Sequence, residues 1–253
     1  MLCTERMQDK MESSENFILL TRDTTFKYFL KHEELKKYFQ QIIYKKTKYD
    51  LSNYTLIDNE ENSGNKRKDY RMDLVFQKDN HIIILEMESE KSESSRIKDY
   101  QYLYRKAGKR FDSGNNYIPT YTTLIIFNNF RHESIQNLEM SHFTFKDEHS
   151  NSIIQDIESF EIYLPTFDRK CYHKYDDVDK RLVLFNCNSF EEMRSLNTNP
   201  IDLKIIEELE RLSMDTDFRD EYDYENVQRK LRNSAKKEGY QEGFDLGMEH
   251  GME

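Results

Sequence analysis

The sequence predicts an α/β domain, a mixed β-sheet flanked by helices and continued by a helical C-terminal extension. Three observations predict it. Two apolar, alternating runs, Tyr70–Gln77 and His81–Glu88, are separated only by Lys78-Asp79-Asn80, as in an antiparallel pair. Helical spacing precedes them, first in Phe26, Phe29 and Leu30, then in Leu35, Phe39, Ile42 and Ile43. After them comes a helix with Ile97, Tyr100, Tyr104 and Ala107 on one face, capped by Ser94 or Ser95 and ended by Gly108, and then a β-branched strand at Tyr121–Phe127.

The chain divides in three. Residues 1–22 read as a loosely held polar lead-in, 23–186 as the core, and 187–253 as the helical extension. Asp23 is placed either to N-cap the first helix or to stand at the edge of a site. Residues 59–69 form a polar loop. Phe143–Phe145 and Phe160–Leu164 are shorter strand candidates, the second stopped by Pro165. Ser189 with Glu192 forms a capping box, and Asn199-Pro200 supplies an N-cap and a first helical residue for Leu203, Ile206, Leu209 and Leu212.

Composition narrows the class of protein. With 34% charged, 36% hydrophobic and 13% aromatic residues, the chain is polar yet apolar enough for a core, so global disorder is excluded. Its longest apolar runs, such as Ile82–Leu85 and Leu124–Phe127, are far too short to span a membrane. The first sixteen residues lack the apolar stretch of a signal peptide. Cys3, Cys171 and Cys187 are widely spaced and odd in number, which fits a reducing compartment and a cytoplasmic protein. A net charge of −10 argues against a nucleic-acid partner, but its distribution reverses that. From Asp23 to Phe111 there are 19 Lys/Arg against 15 Asp/Glu, a net of +4; the remainder carries 19 against 33, a net of −14. The basic clusters are Lys45, Lys46 and Lys48; Lys66, Arg67 and Lys68; and Arg105, Lys106, Lys109 and Arg110.

A hairpin turning at Asp79-Asn80 sets Lys78 opposite His81, so paired residue numbers sum to 159. One face then carries Met72, Leu74 and Phe76 opposite Met87, Leu85 and Ile83, and is wholly apolar. The other carries Arg71, Asp73 and Val75 opposite Glu88, Glu86 and Ile84. A one-residue slip would mix the two faces. Asp73 is expected across from Glu86, with Glu88 two residues along. Facing like charges destabilise a sheet unless a proton, a basic partner or a cation neutralises them. Two carboxylates on neighbouring strands suit Mg²⁺, which activates water and polarises a phosphodiester. The plainer alternative is a solvated, salt-bridged face with Arg71 paired to Glu88. Against it, Ile82–Leu85 is apolar on both sides, which predicts an interior strand.

The run YRMDLVFQKDNHIIILEMESEK followed by SRIKDYQYLYRKAGK closely resembles the core of the recombination-promoting nuclease family, also described as PD-(D/E)XK nuclease family transposases. The matching positions are Arg71, Asp73, Glu86-Met87-Glu88, Arg96, Tyr100 and Tyr104. DTTFKYFL, FEIYLPTF, VLFNCNSFEEM and the glycine-rich tail are similar to further family segments, so the resemblance covers roughly residues 20–253. It implies a restriction-endonuclease-like fold and Mg²⁺- or Mn²⁺-dependent cleavage of DNA, linked to recombination or mobile elements. It also implies Asp73 and Glu86 as metal ligands, with Glu88 where the family usually has Gln or Lys. That departure removes a cation, for which Lys91, Lys98 or Arg71 are the candidate substitutes. A fold retained without the chemistry, serving DNA binding or self-association, is the alternative.

Other residues have two readings each. Lys27, with Lys31 one turn on, is a phosphate contact or a solvated helix face; Arg96 and Lys98 start the helix after Glu88, where phosphate would lie. Tyr100 and Tyr104 share a helical face with Ile97 and are expected in the core. The seven histidines and Cys171-Tyr172-His173 lack ligand spacing. Gly239, Gly243, Gly247 and Gly251 recur every four residues beside Tyr240, Phe244 and Met248. This stripe is either a close helix–helix contact making a homo-oligomer or a frayed tail.

Overall fold

The computed structural model describes residues 17–57, 74–89, 97, 100, 101, 103, 121–130, 138–146, 153–196 and 199–250. Helices α1 (Asp23–Lys31) and α2 (Glu33–Thr47) lead into strand β1 (Thr55–Ile57). Strands β2 (Leu74–Lys78), β3 (His81–Glu88), β4 (Tyr121–Asn128), β5 (Met140–Lys146) and β6 (Ile153–Tyr163) complete a six-stranded mixed sheet in the order β1-β2-β3-β4-β6-β5. A short α3 (Asp179–Val183) follows, then α4 (Phe190–Leu196), α5 (Pro200–Met214) and a 35-residue α6 (Thr216–His250). The α/β class and the helical C-terminus expected from the sequence are both present.

The hairpin register is the one the hydrophobic pattern requires. Lys78 pairs with His81 and Leu74 with Leu85, and Asp79 turns the chain with φ 48°. β3 runs antiparallel to β2 on one edge and parallel to β4 on the other, so it is interior. β6 then runs parallel to β4 and antiparallel to the edge strand β5. β5 and β6 extend the short strands expected at Phe143–Phe145 and Phe160–Leu164, and Pro165 sits in the 3-10 turn Leu164–Thr166 that ends β6.

Period-two alternation divides the sheet into two faces. The first carries Leu74, Phe76, Ile83, Leu85, Met87, Ile125, Phe127, Phe160 and Ile162 against the helices in the main core. Aromatic rings knit that layer: Phe39 meets Phe26, Phe127 and Phe185 edge to face, with centroids 5.3, 6.2 and 5.8 Å away. The second face carries Val75, Ile82, Ile84, Leu124 and Ile126 under Leu103 and the partly buried Tyr100. Ile97, expected on that buried face, is 59% exposed. Leu103, which the pattern did not single out, is buried there instead.

The termini of the described chain close the first layer. Residues 17–22, expected in a loose lead-in, include the buried Phe17, Ile18 and Leu20. The same core takes in Met193, Ile205, Ile206, Leu209, Leu212, Phe218 and Tyr222, so the helical extension is partly built into the domain. Its caps follow the sequence. Asn199 accepts from the Ile201 amide at 2.9 Å, and Ser189 Oγ from the Glu192 amide at 3.1 Å. Glu192 reaches back to the amide of Asn188 rather than that of Ser189. Asp23 is not the N-cap of α1; Arg22 holds that position and makes no side-chain cap. The carboxylate of Glu225 in α6 substitutes, accepting from Thr24 N at 3.1 Å and Thr24 Oγ1 at 2.8 Å. An acidic group at a helix start also meets the positive end of the helix dipole.

This long-range cap gives a stability prediction. Glu225→Ala should lower the stability of the whole domain by about 1 kcal/mol, the usual value of an N-cap, seen as a lower urea midpoint at unchanged slope. An unchanged midpoint would show that α6 caps nothing.

Candidate functional site

Polar side chains gather where the three parallel strands end. Glu86 of β3 is level with Ile126 of β4 and Glu161 of β6, and Glu88 is level with Asn128 and Tyr163. Side chains level with one another in a parallel sheet share a face, so all of these lie on the second face. Toward the other end that face is apolar, with Ile82, Ile84 and Leu124. The carboxyl ends of parallel strands are where open α/β sheets receive ligands.

Glu86 is only 4% exposed, whereas Glu88 is half-buried at the strand end. Burial of a carboxylate costs several kcal/mol without compensation, so its retention on a central strand calls for a role. The two carboxylates are one pleat repeat apart, about 6.6 Å along the strand. They are hard oxygen donors that leave room for waters and a phosphate, the donor set that Mg²⁺ takes. Among the described residues no group of three or more His, Cys, Asp or Glu is arranged to hold a metal ion.

Glu161, buried like Glu86, is the third carboxylate on this face and lies roughly 9.5 Å across the sheet from Glu86, two strand spacings. Its Oε2 accepts from Tyr163 Oη at 2.9 Å and its Oε1 from Tyr100 Oη at 3.2 Å. Tyr100 Oη is also 2.9 Å from Ser159 Oγ, and Tyr163 Oη lies 3.1 Å from the Ser141 hydroxyl. These bonds tie the helical turn bearing Tyr100 to the site end of the sheet. Tyr100 packs on the apolar cluster as expected, with its hydroxyl serving the carboxylate. Sequence reasoning missed Glu161, although a lone acid in Phe160-Glu161-Ile162-Tyr163 carries the same signal as Glu86 among its apolar neighbours.

Of the expected site residues, the structure brings Glu86 and Glu88 together. Asp73, Arg96 and Lys98 lie outside the described residues, as do Arg71, Lys91, the clusters 66–68 and 105–110, and Gly251. Lys27 is half-buried on α1, whose Phe26, Phe29 and Leu30 join the core of the first face. The first basic cluster is largely neutralised from within. Lys45 contacts Asp179 at 2.6 Å and also pairs with Asp176. Lys46 contacts Asp179 at 2.9 Å and Glu139 at 3.0 Å, and its amine lies 4.9 Å from the Phe167 ring centre. The acidic later part of the chain thus folds back on this basic patch.

A second polar assembly occupies the opposite end of the sheet on the first face. Tyr54 Oη is 2.7 Å from His81 Nδ1, and His81 Nε2 is 2.8 Å from Thr123 Oγ1, which donates to Glu158 Oε1 at 3.1 Å. Glu158 also accepts from Tyr49, and His142 Nε2 lies 2.8 Å from its other oxygen. The Thr123 hydroxyl spends its proton on Glu158, so it accepts from His81 Nε2–H, and Nδ1 accepts from Tyr54. A neutral imidazole satisfies this chain of bonds. Burial lowers the pKa of His81, with the Glu158 charge opposing that shift. Burial and the Glu158 hydrogen bond push the Tyr49 phenol up to about 12.

The sign of the pH dependence follows. A histidine whose folded pKa is depressed contributes stability that is fully present above its unfolded pKa, about 6.5. That stability is lost as the pH falls through the folded value. The melting temperature of the parent should fall below about pH 6.5, and His81→Gln should flatten that fall. An equally steep acid limb in the variant would assign the loss to other groups.

Family models, curated proteins and solved structures, when compared with this chain, contain no match for it.

Proposed function

We propose that this chain is a Mg²⁺- or Mn²⁺-dependent DNA endonuclease of restriction-endonuclease-like architecture, acting in recombination or on mobile elements. The observation that carries the proposal is the buried Glu86, with Glu88 next on its face, at the carboxyl end of an interior strand. Asp73 belongs to this reading through the register expected from the sequence. The antiparallel β1-β2-β3 meander followed by parallel β4 supports the architecture.

In this reading Asp73 and Glu86 offer oxygens to the metal, and Glu88 orients or deprotonates the attacking water. The bound ion supplies phosphate polarisation and a more acidic water. Arg96, Lys98 and Lys27 are the proposed phosphate contacts. Glu161, held by Tyr100 and Tyr163, keeps the covering helical turn in place. A cytoplasmic setting follows from the cysteine pattern, and no helix among the described residues is long and apolar enough to cross a membrane.

One observation favours a self-associating protein, either as this nuclease or as its inactive alternative. α6 docks through Phe218, Tyr222 and Glu225, but its outer half carries exposed Leu231, Tyr240, Phe244 and Met248. A Cβ placed on Gly239, Gly243 or Gly247 would meet nothing within 4 Å. Three glycines cost that helix about 3 kcal/mol of propensity, which close packing against a second copy would offset through dispersion contacts.

Two experiments test these readings. Purified protein should cut plasmid DNA with Mg²⁺ or Mn²⁺ and not in EDTA. Asp73→Ala and Glu86→Ala should abolish cutting while the protein stays folded, and Glu88→Gln should retain it. Parent-like cutting by both alanine variants would reject the assigned site. A more than roughly 100-fold loss in Glu88→Gln would make Glu88 an obligatory base. Truncation after Arg229 should shift the protein toward monomer in sedimentation velocity and slow double-strand breakage relative to nicking. An unchanged sedimentation coefficient, corrected for mass, would leave the tail without this role.

A further inference from the structure

The helix layer over the first face holds a cavity of about 590 Å³ between the outer side of α2, the turn at Val178 and the first turns of α5. Its volume is that of a small-molecule site. The floor is apolar, with Leu35, Val178, Ile201 and Ile205. Tyr44 stands beside it, 55% exposed, and presents an aromatic face.

The charge around the cavity is positive. Lys37, Lys45, Lys48 and Lys204 line it, against Glu34 and Asp50. Both carboxylates already have partners, Glu34 among the cavity's own lysines. Glu34 pairs with Lys37 at 3.0 Å; Asp50 accepts from Ser52 and Asn53 in its own turn. Lys45 is held by Asp176 and Asp179. Among the described residues no carboxylate lies within ion-pair distance of Lys48 or Lys204. Lys48 closes α2 with φ 69°, a left-handed conformation that turns the chain back beside Tyr44. Its amine lies 6.0 Å from the Tyr44 ring centre.

We infer that this cavity is a second ligand site, for a nucleoside polyphosphate. An apolar floor beside an exposed tyrosine suits a flat base, which stacks on aromatic faces. Lys48 and Lys204, which line the cavity with no carboxylate in ion-pair distance among the described residues, suit a chain of phosphates, which lysine binds as a point charge. A lone carboxylate would leave part of that charge unmatched. Gln40 on the same wall adds an amide able to donate and accept. The site is separate from the face of Glu86, so the inference does not rest on the proposed nuclease activity.

The test is calorimetric titration of the full chain with ATP in EDTA, which keeps divalent metal from reporting on the carboxylates. Adenosine and tripolyphosphate serve as probes of the base and the anion alone. ATP should bind saturably with a stoichiometry of one, and each half-ligand should bind at least roughly tenfold more weakly, a difference of about 1.4 kcal/mol. Lys204→Ala and Tyr44→Ala should each weaken ATP binding by about tenfold, with Tyr44→Phe and Glu86→Gln close to the parent. Both altered positions are exposed, and parent-like melting temperatures check that the variants fold. Absence of saturable binding at about millimolar ATP, within the ordinary range of enzyme–substrate affinities, overturns the inference. So does binding that ignores Lys204 and Tyr44, tripolyphosphate binding as tight as ATP, or loss of binding in Glu86→Gln. Duplex DNA competing with ATP only through Lys204 would reassign the lysines to the nucleic acid.

Discussion

The rest of the structure depends on β3 being paired on both edges and covered on both faces. Its Ile82–Met87 stretch is buried throughout, between β2 and β4 and between the two apolar clusters. Such a strand has no freedom of register, because a shift of one residue would drive Glu86 into the layer of Phe39 and Phe127. Parallel pairing with β4 then fixes which polar residues are level with Glu86. Glu161, Asn128 and Tyr163 join the site end because β6 repeats the same direction. The carboxylates sit at the carboxyl end of that sheet as a consequence of direction and parity, two properties of the backbone.

The two polar assemblies are kept apart by the same geometry. They lie at opposite ends of the parallel strands and on opposite faces. The His81–Thr123–Glu158 chain is satisfied within the protein, with tyrosines closing it at both ends. Such a network specifies how the α2–β1 connection docks on the sheet. The Glu86–Glu88 end differs, since Glu88 is half-buried at the strand terminus and adjoins the mouth of the sheet. The proposed chemistry with a ligand is accordingly placed at the Glu86–Glu88 end.

The C-terminal region works at two levels. Its inner part is structural: Phe218 and Tyr222 join the core, Tyr222 Oη accepts the Leu19 amide at 3.1 Å, and Glu225 caps α1. Acidic residues late in the core act on its basic cluster as well: Asp176 and Asp179 hold Lys45, and Asp179 also holds Lys46. Beyond residue 230 the helix carries exposed aromatic and glycine positions that contribute nothing to the described core. The acidic net charge is therefore compatible with local positive surfaces, such as the rim of the α2–α5 cavity.

By itself the sequence determined what is periodic or local. The alternation in Leu74–Lys78 and His81–Glu88, with a turn that accepts Asp79 at positive φ, leaves one register that segregates apolar from charged residues. Asn199-Pro200 and Ser189-Glu192 are equally local, because a cap depends on neighbours within four residues. Tertiary structure alone decided the long-range partners. The cap of α1 comes from Glu225, 201 residues away, so the neighbouring Asp23 gave a misleading signal. The burial of residues 17–22 depends on a helix that begins near residue 216. The basic cluster at Lys45 and Lys46 lost its apparent freedom to carboxylates more than 90 residues distant. Glu161 entered the candidate site only through strand order, which no pattern within β6 encodes. The physical reason is common to all four: side-chain periodicity is written along the chain, whereas charge pairing and strand adjacency are set by which distant segments the hydrophobic core draws together.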